Sequence, residues 1–200
     1  MIYHAVGNLC AVNFSDLKLP ISEKMALEIL AELGFKTHIV DIVSLARECI
    51  KSSIYRRGVS ASEAPEVVDC SSFMKWLYGR KGVWLPRHSI DQRSYLEVDV
   101  EEEDIIAGDL IFTTGFRNYF WADEDDAVGH VGIATGEGTA IHAANSKVGV
   151  IEAPIDRFLK KPRGVRRISE NPNSIITIES PISRPVEWSQ QFRWVILQYC

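Results

Sequence analysis

Long apolar runs are missing from this chain. No stretch of its 200 residues approaches the ~20 consecutive apolar residues that a helix needs to cross a bilayer, so no membrane partner is expected. Paired cysteines are missing as well. Cys10, Cys49, Cys70 and Cys200 are scattered, with no CxxC pair, a pattern that is neither a zinc ribbon nor a disulfide scaffold. Basic charge is in short supply. The 22 Lys and Arg stand against 27 Asp and Glu, a net charge of −5 with no basic stripe, so nucleic acid is not an expected partner. The opening MIYHAVGNLCAVNF has no basic n-region, and Asn8 and Asn13 interrupt its apolar residues. It does not read as a signal peptide, and a cytoplasmic location is the expectation. Internal repeats and low-complexity linkers are also absent. What is present is ordinary for a globular protein, 46% hydrophobic and 24% charged, with length enough for one domain with a full core.

The first half of the chain reads as helical. Residues 22–33 (SEKMALEILAEL) form a helix with Ser22 as N-cap and Gly34 as the stop, and residues 41–54 form a second, capped by Asp41. A third begins at Cys70 and stops at Gly79, and a short fourth covers residues 88–96. The second half reads as strands at 109–114, 130–135, 139–145, 149–153 and 163–168, separated by turn residues. In the tail, SIITIES and FRWVILQ are two further candidate strands. Helices first and strands second predict an α+β domain with N-terminal helices packed on an antiparallel sheet.

Cys70 is the cysteine in polar company. In EVVDCSSFMKWLYG it follows Asp69, which is placed to cap the helix, and precedes Ser71 and Ser72. A thiol at a helix N-terminus meets free N–H groups and the positive end of the dipole, which favours the thiolate. Cys49 and Cys10 lie among apolar residues and read as core, and Cys200 is terminal.

A nucleophilic cysteine needs a histidine within hydrogen-bond reach and a third group to fix the ring. His130 and His142 lie in consecutive predicted strands joined by TGEGT. A three-residue loop, Gly136 to Gly138, pairs Thr135 with Thr139 and Ile133 with Ile141, and it puts both histidines on one face. They become diagonal neighbours roughly 7–8 Å apart at the backbone, a gap that two imidazole rings can close. The same three side chains also allow a Cys-His-His zinc site. The lack of carboxylates at ligand spacing and the helix-terminal thiol favour catalysis, with no cofactor.

DCSSF (69–73), LPRHSIDQ (85–92), AGDLIF (107–112), GHVGIA (129–134) and AIHAAN (140–145) occur together and in order. This set resembles the NlpC/P60 family of papain-like cysteine peptidases, over about residues 55–168. The resemblance implies a papain-like fold and roles for particular residues. Cys70 matches the nucleophile, His130 the base and His142 the group that orients it. Tyr55 matches a tyrosine whose hydroxyl helps line the oxyanion site. Asp69, Ser71 and Ser89 match positions that hold the free amino end of a cell-wall stem peptide. The implied reaction is hydrolysis of a D-glutamyl–diamino acid amide in a small peptide or muropeptide. Two departures stand out. Ser72 replaces the usual glycine, and one glycine follows Tyr55 where the family has two.

Structural readings of the same residues stay open. Asp69 and Ser89 can serve as helix caps, Ser71 as an exposed first-turn residue and Tyr55 as core. Arg87 and Gln92 can tie a loop to the body, and Gly108 and Asp109 are turn residues. Two other functions also stay open: a papain-like acyltransferase or amidase on another acyl substrate, and a binding module with an occluded site. The chain divides into an N-terminal extension at 1–40, a catalytic domain at 41–168 and a C-terminal extension at 169–200, packed on the same domain. Residues 113–129 form an aromatic then acidic insert that reads as a solvated loop or a lid.

Overall fold

The computed structural model describes residues 2–115 and 127–200, and most of the 113–129 insert lies outside them. The described residues divide into two compact units. Strands and helices are numbered in chain order.

One unit joins the two ends of the chain: Met1–Asp41, Tyr78–Trp84 and Asn171–Cys200. Strands β1 (Leu9–Asn13), β11 (Ile175–Glu179) and β2 (Lys36–His38) form an antiparallel sheet in that order. Helix α1 (Glu23–Glu32) starts as its sequence dictates, with the Ser22 hydroxyl accepting from the Met25 N–H. It stops where Gly34 takes a left-handed φ of 87°. Helix α6 (Gln191–Leu197) occupies FRWVILQ, where the sequence reading expected a strand. Phe192 and Ile196, four residues apart, bury one helical face in a core with Val12, Leu30 and Ile178. Short apolar runs satisfy both periods, and here the partners decide.

The second unit comprises Ile42–Leu77 and Leu85–Glu170. Its centre is a six-stranded antiparallel sheet in the order β5-β10-β6-β7-β8-β9. The strands are β5 (Val98–Asp99), β6 (Leu110–Thr113), β7 (His130–Ala134), β8 (Thr139–Asn145), β9 (Gly149–Pro154) and β10 (Pro162–Arg167). The α+β expectation therefore holds, with the longer strands close to where periodicity placed them. Ile111, Ala134, Ala140 and Val165 gather on one face around Phe158, which lies on the short helix α5 (Asp156–Leu159). Helix α4 (Ser89–Tyr95) packs against β6 and β10.

Two boundaries differ from expectation. Helix α2 (Ile42–Glu48) ends before Ile54, and Lys51 sits at a φ of 66°. Ile54 and Tyr55 are instead a strand, β3 (Ile54–Tyr55), paired in parallel with β4 (Val67–Val68). Helix α3 (Cys70–Arg80) runs through Gly79. A Cβ on Gly79 would stand 3.3 Å from Val6 Cγ1, so this glycine serves close packing. The turn falls at Gly82, whose φ is 77° and whose absent Cβ would lie 2.6 Å from the Ala11 nitrogen.

Candidate active site

Helix α3 begins on a reciprocal cap. The Asp69 carboxylate accepts from the Ser72 N–H at 2.9 Å, and the Ser72 hydroxyl accepts from the Asp69 N–H at 2.8 Å. This is a capping box with serine in the third helical position. Ser72 is fully buried, and its hydroxyl and N–H lock the helix start. Cys70 is the first helical residue and half-buried, whereas Cys10 and Cys49 are core and Cys200 is exposed.

Asp69 does more than cap. Both of its oxygens accept from the Arg87 guanidinium, at 2.6 and 3.0 Å, and Gly58 N–H adds a bond of 3.0 Å. Burial alone would raise this carboxyl, but the Arg87 bonds and the Ser72 N–H outweigh it and hold it below the usual carboxylate range. Arg87 also donates to the Ser71 hydroxyl and the Val59 carbonyl. Gln92 donates to the Ser71 and Pro86 carbonyls. The LPR segment is thereby stitched to the start of α3.

The histidines arrive from the sheet. Thr135 N–H donates to the Thr139 carbonyl at 3.0 Å, and Ala134 and Ile133 face Ala140 and Ile141. Gly136 and Gly138 supply the left-handed φ values of 80° and 75° that this loop requires. The register puts His130 and His142 on one face, and His130 Nε2 lies 2.7 Å from His142 Nδ1. Phe158 holds the pair from the side. Its ring lies along His130 at 5.7 Å and 21°, and edge-on to His142 at 4.9 Å and 82°.

These elements converge on a cavity of about 140 Å³ lined by Tyr55, Asp69, Cys70, Ser71, Ser89 and His130. His142 does not line it and reaches it through His130. Tyr55 is delivered by β3, whose pairing sets it beside Val68, next to the Asp69–Cys70 pair. All seven residues singled out from the sequence are therefore accounted for in one neighbourhood.

The resting charges differ from the helix-dipole expectation. Burial pushes the Cys70 thiol up to about 11, and the Asp69 charge adds to it. The Val131 and Ser71 backbone N–H groups and Arg87 act the other way and are outweighed. Burial pushes His130 down to about 4, and burial with the charges of His130 and Arg157 pushes His142 down to about 3. Each of these shifts favours the neutral form, the protonated thiol at Cys70 and the uncharged imidazoles at His130 and His142. Among the described residues, no three His, Cys, Asp or Glu side chains are grouped as a cation-ligand set. No helix among them is long and apolar enough to cross a membrane.

Sequence reasoning did not single out Phe158 or Arg157. DRFL carries no motif, and only the fold brings it to the histidines.

The second unit thus combines an antiparallel sheet with helices, a cysteine at a helix start and two histidines on one sheet face. A family model described as the NlpC/P60 family matches residues 54–167, and the chain belongs to that family. It is 34% identical over 93 residues to a "probable endopeptidase" of Corynebacterium glutamicum, covering 46% of this chain and 38% of that protein. It is 31% identical over 80 residues to a bifunctional muramidase/DL-endopeptidase of Bacillus subtilis, covering 40% of this chain and 22% of that one. A crystal structure of an NlpC/P60 family protein from Bacillus cereus superposes with a TM-score of 0.54 at 26% identity, covering 66% of this chain and 41% of that chain. The chain thus matches less than two-fifths of the length of these curated relatives.

Proposed function

We propose that the chain is a cysteine peptidase that hydrolyses amide bonds in cell-wall-type peptides, with the D-glutamyl–diamino acid bond as its linkage. One observation carries this reading: Cys70, on the first turn of α3, lines the same cavity as His130, whose Nε2 is 2.7 Å from a second imidazole. The names of the relatives, endopeptidase and DL-endopeptidase, support the same class of substrate.

The reaction runs as follows. His130 donates its Nε2–H to His142 Nδ1, which leaves the His130 Nδ1 lone pair for the thiol proton. Cys70 Sγ bonds to the amide carbon as its proton passes to Nδ1. The carbonyl oxygen becomes an oxyanion, held by the Cys70 N–H and the Tyr55 hydroxyl. His130 returns the proton to the amide nitrogen, the C–N bond breaks, and the amine leaves. Water then attacks the thioester, with His130 again taking the proton, and the acid and the free thiol are released. His142 must stay an acceptor while His130 is cationic, and its lowered pKa keeps it neutral at that moment.

The test is incubation with defined muropeptides and mass analysis of the products. Cleavage at a D-glutamyl–diamino acid bond is expected, and Cys70→Ala should abolish it with the fold intact. His142→Ala should lose less activity than His130→Ala, because it orients the ring and does not carry the proton. Turnover retained in Cys70→Ala would end the reading.

A further inference from the structure

A second cavity, of about 480 Å³, is lined by both histidines of the pair. It shares His130 and Ala144 with the first, but it contains His142 and lacks Cys70. Its walls combine apolar surface, from Ile151 and Phe158, with three cations, Arg157, Lys160 and Lys161. Among the described residues, no carboxylate forms an ion pair with any of the three. The Arg157 charge reaches the dyad, since it helps to lower His142. Part of the rim is fixed: the Thr113 hydroxyl donates to the Lys161 carbonyl at 2.7 Å.

We infer that this cavity is the subsite for the leaving half of the substrate, and that it recognises a carboxylate carried on an aliphatic chain. The inference rests on the peptidase reading above and deepens it. The acyl carbon must lie at Cys70, in the first cavity. The leaving nitrogen must lie within reach of His130, the residue that both cavities share. Whatever that nitrogen carries then projects past His130 into the second cavity. There the methylene groups of a diamino acid meet Ile151 and Phe158, and its carboxylate meets Arg157, Lys160 and Lys161. A charge-assisted bond to guanidinium or ammonium is what such an environment offers an anion and denies an amide.

Two peptides identical except at the leaving residue, one with a free carboxylate and one with a carboxamide, test this. The wild type should prefer the carboxylate by about tenfold in kcat/KM, through KM. The ratio should fall toward one in the Arg157→Ala/Lys160→Ala/Lys161→Ala protein, and Arg157→Lys should restore part of it in that background. Equal cleavage by the wild type, or a ratio that survives the triple substitution, would overturn the subsite. A second measurement is independent of turnover. Diaminopimelate and its diamide are titrated into the Cys70→Ala protein, with the His142 ring signals followed by NMR. The acid should shift them and the diamide should not, and the triple substitution should abolish the response. If neither peptide is cleaved, the peptidase reading falls and this titration alone decides. A carboxylate-specific shift lost with the cations upholds the subsite, and no shift overturns it.

Discussion

Gly132 and Phe158 occupy one another's space. A Cβ on Gly132 would stand 2.7 Å from Phe158 Cζ and 3.3 Å from His142 Cβ. The missing side chain in β7 is therefore what lets the Phe158 ring lie against both imidazoles. Phe158 is 2% exposed and belongs to the core of that sheet face, so the ring has little room to retreat. Gly132→Ala should destabilise the protein by about 1–3 kcal/mol and displace the ring from the dyad. Phe158→Leu keeps most of the volume and should cost about 1 kcal/mol, yet it removes the flat face along His130. Thermal unfolding and kcat/KM separate the two effects. Phe158→Leu should lose more activity than its small stability loss explains, and full activity in Gly132→Ala would show that the ring positions nothing.

The features legible in the sequence are those set by local chemistry. TGEGT fixed a loop of known parity, and parity alone decides whether His130 and His142 share a face. Asp69 before Cys70 fixed a cap, and Gly34 fixed the stop of α1. The rest depended on distant partners. FRWVILQ became a helix because Phe192 and Ile196 bury one helical face beside β11 and beside β1, which lies at the other end of the chain. Gly79 looked like a terminator and is a contact with Val6. Ile54 closed a helical pattern and Tyr55 opened a turn-rich segment, but pairing with Val67 and Val68 drew both into a strand. Nothing in the sequence marked Arg157, Lys160 and Lys161, and only the fold brings them to the cavity that His142 lines.

The proposed pair should work in its neutral form. With His130 near 4 and Cys70 near 11, a free imidazole and a protonated thiol coexist across the neutral range. As pH falls through the His130 value, protonation blocks the lone pair and kcat/KM drops. As pH rises through the Cys70 value, the thiol proton needed for the leaving amine is lost. The acid limb should therefore lie below the ordinary histidine value of about 6.5, and the alkaline limb should lie near the raised Cys70 value of about 11. Alkylation of Cys70 in the free protein should be slow at neutrality and rise only at alkaline pH. Rapid alkylation at pH 7 would instead indicate a resting thiolate–imidazolium pair. The same shifts act on stability. The unfolded chain binds protons at both histidines below about pH 6.5 and the folded one does not, so stability should decline as pH falls through that window.

Arg87 should matter as much to the fold as to the site. Its guanidinium spans both Asp69 oxygens, the Ser71 hydroxyl and the Val59 carbonyl. Arg87→Ala leaves a carboxylate that is 9% exposed without its cation. The expected loss is about 3 kcal/mol, the low end for a broken buried pair, because Arg87 itself is 27% exposed. Arg87→Lys should recover only part, since one ammonium cannot match the fork. Denaturant unfolding of both variants checks the ranking. A lysine variant as stable as wild type would reduce Arg87 to a simple charge.

The last prediction concerns the other end of the substrate. We propose that Asp69, Ser71 and Ser89 hold a free amino terminus, all three lining the cavity beside Cys70. Asp69 already accepts from Arg87, Gly58 and Ser72, so an ammonium there adds to a shared carboxylate and does not meet an empty one. Its bond should be correspondingly weaker than to an unpaired acid, and the two serine hydroxyls should carry a measurable share. Acetylating the peptide's amino end removes the charge and adds bulk, and it should lower kcat/KM by about tenfold or more. Ser89→Ala is the cleaner probe, because Asp69→Asn also disturbs the Arg87 pair and the helix cap. In Ser89→Ala the discrimination between free and acetylated peptides should shrink while the unfolding midpoint stays near that of wild type. In Asp69→Asn both should fall together. Comparable cleavage of the two peptides by the wild type would remove the amine-holding role from all three residues and leave Cys70, His130 and His142 to be judged on their own variants.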